Sequence, residues 1–472
     1  MMVLYLTGGV MRHIRLIALL TCIALVVMLA LSNVAVAQTK GMIGINVLLN
    51  TTPTSKILNQ LAKYGTVRDV IAEIKAVTLQ APASQLAAIR ALSFVTAANP
   101  DATRTGAPVS EVAATDFTEG LSTWDLDAIN VTDFGFNNRQ VTQDGAGVYV
   151  AVIDTGLVSN WQYYFPTDRI AVQYAACFGG GGGEMGFVST QPNKWGLDQN
   201  SHGTHVTSTI LGYSLNGTPI NGVAPMAKVI AVKVLNQNGS GWSSVVARGI
   251  TYVGDLKAGV LKDFPVVINM SLGGPDLDAM EKAAIDYAIE QGVIIVASAG
   301  NEGEAGMGYP GAYAPVISVA ASGWIKEWTA ASWWRTLDVP DPTRAKDYYI
   351  CDFSSRQLAG QDLDVAAPGS WCVGPYQTNS QISYYYLGGT SMASPHVAGI
   401  VALMAQKYPA LTAGQAEDIL QKSAVPLPAG NRSVNDGNGH MVTYSWGADA
   451  TGSGLATADA ALAATPKTAA KH

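Results

Sequence analysis

From Gly147 onward the chain repeats one alternation, which restricts its fold more than any other feature. Short, almost uninterrupted apolar runs fall at 148–153, 229–235, 266–270, 293–298 and 316–320. Between them, stretches of helical pattern occupy 204–211, 243–257 and 277–291. A strand with one face in water alternates apolar and polar residues. These runs do not, so both of their faces must be covered. Apolar strands separated by helices predict an α/β fold: a mostly parallel sheet with helices on both faces. In such sheets the chemistry gathers at the carboxyl ends of the strands.

The 472 residues are 48% hydrophobic and only 13% charged, enough apolar material for a core of that kind. A net charge of −7 argues against a nucleic-acid partner. The charge is uneven, because seven bases face three acids between Lys40 and Arg104 while acids dominate beyond Thr105. Opposite charge helps to bring two parts of one chain together. The basic stretch has its own pattern: strand-like at 43–49, 70–79 and 94–98, helical at 55–64 and 84–92, with Ser84 as a cap. This reads as a small α+β ferredoxin-like unit of β-α-β-β-α-β order. Residues 101–122 lack periodicity. The 105–122 part is assigned as a linker, where processing cuts fall, with the main domain at 123–465 and a polar tail at 466–472.

Arg12, His13 and Arg15 precede an apolar run at 16–31 and then Ala35-Val36-Ala37. That is the n-region, h-region and cleavage site of a secretory signal peptide over 1–37, to which residues before Met11 add nothing. The alternative is a retained anchor, since the run is nearly long enough to span a bilayer. Export places Cys177, Cys351 and Cys372 in an oxidising setting. One disulfide and one leftover thiol are expected there, with the connectivity open.

Four residues stand at strand ends or helix starts. Asp154 ends the first apolar strand, and His202 opens HGTHV. Asn301 follows the strand at 293–298, and Ser391 lies in GTSMASPHVAG at 389–399. Acyl transfer needs these parts together: a nucleophile, a base, a group that orients the base and an oxyanion donor. VAVIDTG (150–156), NSHGTHV (200–206), NGVAP (221–225), SLGG (271–274), SAGNEG (298–303) and AAPG (366–369) complete an ordered set of seven motifs. On these, the chain from Trp124 to Ala464 resembles the subtilisin-like serine proteases, the subtilases.

The resemblance implies that Ser391 is the nucleophile, His202 the general base and Asp154 the group that orients it. Asn301 and the Ser391 backbone N–H would hold the oxyanion. It also implies a substrate pocket with Ser271, Leu272 and Gly273 on one wall, Ala299 and Gly300 facing them, and Gly308 at the base. An extended substrate would join the first wall as an added strand. The glycines leave room for a large apolar or aromatic residue before the scissile bond, and Glu302 at the rim is the one charge that would favour a basic residue. His205, His396 and Met392 read as packing residues.

The small unit resembles the inhibitory prosegment of subtilases, which implies a folding aid and intramolecular inhibitor over 38–104. The whole is expected to be a secreted serine endopeptidase made as a zymogen, acting on proteins or peptides. No cofactor is expected for the chemistry, no nucleic-acid partner and no stable membrane association. A non-catalytic binding protein on the same scaffold is the alternative, separable by a serine-directed fluorophosphonate. A membrane-tethered form is separable by N-terminal sequencing. Three stretches depart from the family pattern. Residues 214–221 stand in the place of a family calcium loop, with Asn216 a candidate ligand but no acidic partner near Tyr163, which leaves a structural calcium open. Residues 179–183 are five glycines, read as a surface loop. An insertion at 324–350 carries Trp324, Trp328, Trp333 and Trp334, and reads either as an exposed partner surface or as a lid folded onto the body.

Overall fold

The computed structural model describes residues 41–115, 123–135, 138–179, 190–377 and 381–467. The expected signal peptide and most of the five-glycine run lie outside them. The described chain opens with β1 (Met42–Leu49), α1 (Ser55–Leu61), β2 (Thr66–Ile71), β3 (Ala76–Pro82), α2 (Leu86–Arg90) and β4 (Val95–Pro100). The strands form one antiparallel sheet in the order β2-β3-β1-β4, the expected ferredoxin-like arrangement. Successive side chains of its central strands point to opposite faces, and both faces are covered there. Ile45, Val47, Val77 and Leu79 make the unit's own core, while Asn46 and Thr78 turn to the opposite face and are buried there.

Two local expectations change. The single strand read over 70–79 is a hairpin, because the chain reverses at 72–75 with Lys75 left-handed (φ 53°). Ser84 does not cap a helix. It sits in a 3₁₀ turn, and α2 begins beyond it with no side-chain cap.

The expected linker is not a free segment either. Residues 103–105 form β5 (Thr103–Thr105) and residues 110–113 form β6 (Ser110–Ala113), both docked on the main body. A stretch without apolar periodicity can still pair through its backbone, which is why its pattern did not reveal these strands. Residues 116–122 are outside the described part.

The body begins with α3 (Trp124–Ala128) and β7 (Tyr149–Asp154), followed by β8 (Ala176–Cys177) and α4 (His202–Leu211). Next come the hairpin β9 (Gly212–Leu215) and β10 (Thr218–Asn221), then β11 (Lys228–Lys233), β12 (Ser240–Trp242) and α5 (Ser243–Ala258). After β13 (Val266–Met270) come α6 (Ala279–Glu290), β14 (Val293–Ser298) and β15 (Ile317–Trp324). The short α7 (Trp333–Thr336) precedes β16 (Tyr348–Ile350), β17 (Val365–Pro368), β18 (Cys372–Pro375) and β19 (Tyr384–Gly388). The chain closes with α8 (Thr390–Lys407), α9 (Ala413–Ser423), the hairpin β20 (Gly430–Asn435) and β21 (Met441–Trp446), and α10 (Ala458–Ala464).

All five apolar runs are strands of one sheet, ordered β8-β11-β7-β13-β14-β15-β16 with β17 also against β15. Every pair is parallel except β15 with β16. Alternate residues of β7 explain the unbroken apolar pattern. Val150 and Val152 pack on the α4 and α8 side, and Tyr149, Ala151 and Ile153 on the α5 and α6 side. No helix among the described residues is long and apolar enough to cross a membrane.

The expected disulfide is not formed. Cys351 and Cys372 are buried thiols, both pushed well up by burial. Cys177 lies on β8, at the opposite edge of the sheet from the strand that leads into Cys351, and its Sγ approaches the Gly179 carbonyl at 3.0 Å.

The tryptophan-rich insertion folds inward. Trp324, Trp333 and Trp334 are buried, and Trp124 of α3 stacks on Trp324 at 6.4 Å and meets Trp333 at 5.9 Å. This is the lid reading, and three of the four indoles are unavailable to a partner. The 212–221 hairpin turns at Asn216 and Gly217. Its Ser214 Oγ accepts from the Gly217 N–H, and the Asn216 N–H donates to the Tyr384 hydroxyl. None of the clusters of acidic, histidine and cysteine ligand atoms among the described residues includes this hairpin.

The insertion also buries a carboxylate. Asp127 of α3 accepts from the Val339 N–H at 3.1 Å. Burial pushes its carboxyl up to about 8, the Val339 bond opposes this, and Asp338, Asp133 and Asp341 add to it. In the unfolded chain an aspartate ionises near 3.9. The folded state is thus unpenalised at pH below about 4, loses stability as pH rises, and carries the full cost above about 8. Asp127→Asn keeps an acceptor oxygen and removes the charge. Its gain in melting temperature over the wild type should be absent near pH 4, grow up to about pH 8 and then level off. Thermal melts across that range check it.

Candidate active site

Asp154 is the last residue of β7, at the carboxyl end of the sheet, and both of its oxygens face the His202 ring. Nδ1 lies 2.8 Å from Oδ1 and 3.0 Å from Oδ2, and neither side chain is exposed. The Thr155 N–H also donates to Oδ1 at 2.6 Å. Such an approach of α4 to β7 needs a bare backbone at Gly203, where a Cβ would fall 2.4 Å from the Gly156 carbonyl oxygen. Ser201, immediately before His202, takes a left-handed φ of 77°, a strained value for serine.

The loop ahead of His202 is gathered by Asp198, which sequence reasoning missed. Its carboxylate accepts from the Thr155 hydroxyl (2.7 Å) and from the Asn200 and Ser201 N–H groups (2.9 and 2.8 Å). Burial raises its pKa, and Lys233, 3.7 Å away, works against that rise. The available signal was an aspartate four residues ahead of the histidine, at the start of the helix-opening motif.

Ser391 lies in the first turn of α8, among backbone N–H groups that have no partner within the helix. Pro395, four residues on, has no N–H for the Ser391 carbonyl, and the Ser271 hydroxyl donates to that carbonyl instead at 2.8 Å. Asn269 accepts from Ser394 at 2.7 Å and donates to Ser271 at 3.0 Å, which ties the end of β13 to the start of α8. The Ser391 hydroxyl itself is turned to the Ser271 carbonyl at 3.2 Å, and His202 Nε2 has no hydrogen-bond partner. The histidine and the aspartate are thus in contact, whereas the hydrogen bond between serine and histidine is not made in this form.

Asn301 follows β14 and is anchored by its side-chain oxygen, which accepts from the Thr390 N–H (2.9 Å) and hydroxyl (2.8 Å). Its amide nitrogen is left as a donor next to the nucleophile. The residues expected to line the pocket lie close to one another. Gly308 donates to the Ala299 carbonyl at 2.9 Å, and Tyr309 and Gly274 exchange backbone bonds, which holds the two walls together at Gly308. A Cβ on Gly308 would touch the Gly273 Cα at 3.8 Å, and one on Gly300 would press to 2.9 Å from the Gly308 nitrogen. Leu272, Ser271 and Ala299 are buried. The Glu302 carboxylate is held by the Asn301 N–H and the Ser355 hydroxyl at 2.7 and 3.1 Å.

His205 and His396 are packing residues. Burial first, then nearby His202, push His205 down to about 3, which keeps it neutral. His396 is buried between the Met392 carbonyl (2.8 Å) and Asp125 (3.0 Å), and Met392 is buried as well.

The cleft is occupied by the chain's own residues. Thr105 and Gly273 exchange N–H···O bonds of 2.9 Å in both directions, and the Gly106 N–H donates to the Gly239 carbonyl at 2.8 Å. A methyl group on Gly106 would lie 3.4 Å from His202 Cε1, and one on Gly389 would lie 3.7 Å from the Pro108 Cα. The Val109 N–H then donates to the Gly388 carbonyl at 2.7 Å, and β6 runs on along β19.

A parallel sheet with an Asp–His contact, a helix-start serine and an amide donor at its carboxyl edge defines a serine hydrolase of the acyl-transfer class. Residues 145–448 match the model described as the subtilase family, peptidase S8. The chain belongs to the subtilase family and is a serine endopeptidase. It is 38% identical to subtilisin DY of Bacillus licheniformis over 287 residues, which are 60% of this chain and 85% of the relative. It is 35% identical to thermitase of Thermoactinomyces vulgaris, over 56% of this chain and 77% of the relative. Among solved structures, fervidolysin from Fervidobacterium pennivorans, described as a keratinolytic enzyme related to subtilisin, superposes with a TM-score of 0.64 at 25% identity. That match covers 90% of this chain and 61% of fervidolysin. Catalysis in this family needs no cofactor.

Replacing Asn301 by Ala removes the amide donor. The expected loss is about 10²–10³ in kcat with little change in KM, a magnitude taken from subtilisin itself. Steady-state hydrolysis of a peptide anilide by the two enzymes checks it.

Proposed function

We propose that the chain is the zymogen of a secreted endopeptidase acting through Ser391, His202 and Asp154. Ser391 attacks the scissile carbonyl, and His202 takes its proton and later returns it to the leaving amine. Asp154 holds the imidazole in the required tautomer and stabilises the imidazolium. The Asn301 amide and the Ser391 backbone N–H hold the oxyanion of the tetrahedral intermediate. The observation that carries this reading is the double contact of His202 with Asp154, in the same cleft where Asn301 is tied to the start of the serine-bearing helix.

The unit at 38–104 serves as intramolecular inhibitor and folding aid, with its processing site within 105–122. Support comes from residues 103–109, which lie along the cleft as an extended substrate would and exclude any other from it. Secretion is supported by the signal-peptide pattern over 1–37. Replacing Ser391 by Ala should leave a full-length, uncut precursor, whereas the wild type releases a shortened form. Intact mass and N-terminal sequencing of both products decide it, and maturation of the variant without another protease would refute self-processing.

The pocket bounded by Gly273, Gly300 and Gly308 favours a large apolar or aromatic residue before the scissile bond. The Glu302 carboxylate is already engaged by the Asn301 N–H and Ser355, and an exposed ion pair contributes only about 0–1 kcal/mol, against roughly 2–3 for a buried ring. In peptide anilides differing only at that position, Phe and Leu should give a higher kcat/KM than Lys. Gly308→Val should reduce the Phe substrate most.

A further inference from the structure

The strand in the cleft carries one side chain unlike its neighbours. Among Thr103, Thr105, Gly106 and Ala107 stands Arg104, and neither it nor its partner Glu281 has any exposed side-chain surface (0% for each). Nε donates to Glu281 Oε1 at 3.0 Å and Nη2 to Oε2 at 2.6 Å. Nη2 also reaches the Asp276 carbonyl at 2.9 Å, and Nη1 the Thr103 carbonyl at 2.8 Å. A planar fork meeting both oxygens of a carboxylate selects a guanidinium over an ammonium.

The register fixes which substrate position this is. Arg104 pairs with Gly241, Thr105 with Gly273, Gly106 lies by His202, and Pro108 lies by Gly389 two residues ahead of Ser391. Ala107 is therefore the residue before the bond that faces the nucleophile, and Arg104 is the fourth. The strand is held by backbone bonds that any extended peptide can make. What Arg104 meets is accordingly what a substrate's fourth residue meets once the strand has left.

We propose that Glu281 makes this subsite a guanidinium site, so that the enzyme favours substrates with arginine four residues before the scissile bond. The proposal rests on the peptidase reading above. Glu281 is placed by its own helix, in the first turn of α6, where Asp278 accepts from its N–H at 3.2 Å and the helix N-terminus favours an anion. Gly274 opens the entry, because a Cβ there would stand 2.8 Å from Arg104 Nη1 and 2.3 Å from the Thr103 carbonyl oxygen. Of the acids around the pair, Asp101 belongs to the departing segment, while Asp278 and Glu281 stay. A leucine in this subsite would cover the carboxylate without pairing it, and arginine restores the pair.

The test uses enzyme matured from the full-length chain and two anilides, acetyl-Arg-Ala-Ala-Phe and acetyl-Leu-Ala-Ala-Phe. The arginyl substrate should have a kcat/KM at least about tenfold higher, and in Glu281→Gln the ratio should fall toward one. Taking the ratio within each preparation removes differences in the folded fraction, and the wild-type ratio decides the matter even where the variant yields no enzyme. An equal or higher rate for the leucyl substrate would overturn the subsite assignment and leave the peptidase reading standing. Hydrolysis of neither substrate would overturn both.

Discussion

Helix α4 reaches the carboxyl end of β7 because nothing projects from residue 203, and the rest of the site depends on that close approach. It carries His202 down onto Asp154 and buries both, which is costly for a carboxylate unless its oxygens are occupied. They are occupied, by the His202 ring and the Thr155 N–H. Asp198 then fixes the loop that enters the helix, and the left-handed Ser201 marks the strain this geometry stores. On the other side of the cleft, Pro395 frees the Ser391 carbonyl for Ser271, so the nucleophile's helix is tied to the strand wall that takes the substrate.

The small N-terminal unit completes the ends of two helices of the body. Asp101 accepts from the Ser244 N–H and hydroxyl at the start of α5. At α6, Asn99 of the small unit accepts from the Ala279 N–H, and the body's own cap, Asp278, accepts through its other oxygen from Ser243, Asn46 and Asn99. Helix starts expose N–H groups that need acceptors. A parallel sheet assembled from distant segments also folds slowly. Donating caps to the helices on one face of that sheet is a direct physical means of helping it form, and it agrees with the proposed folding role.

Two buried contacts near the cleft differ in kind. Asp154 and His202 belong to one body and stay together. Arg104 and Glu281 join the cleft strand to the body, and a fully buried pair of this type adds little net stability over apolar packing. Its value is selectivity, since a wrong side chain leaves a carboxylate without a partner. At Asp127 it is burial first, and then Asp338, Asp133 and Asp341 nearby, that makes a carboxyl favour its proton.

The sequence alone determined the parallel α/β sheet, because strands buried on both faces must be apolar throughout, and Val150–Ile153 could be nothing else. It also pointed to Asp154, His202, Asn301 and Ser391 as candidate site residues, since reactive side chains at strand ends and helix starts carry recognisable motifs. It did not reveal β5 and β6. Backbone pairing along a cleft leaves no trace in side-chain periodicity, so 101–122 showed no strand pattern. The hairpin at 72–75 and the free thiols at Cys351 and Cys372 were hidden for related reasons: a left-handed Lys75 and the placement of buried cysteines follow from packing rather than composition. Asp198 and Glu281 acquire meaning only from groups distant in the chain, Lys233 and Arg104 among them. Only the tertiary structure brings those charges into contact.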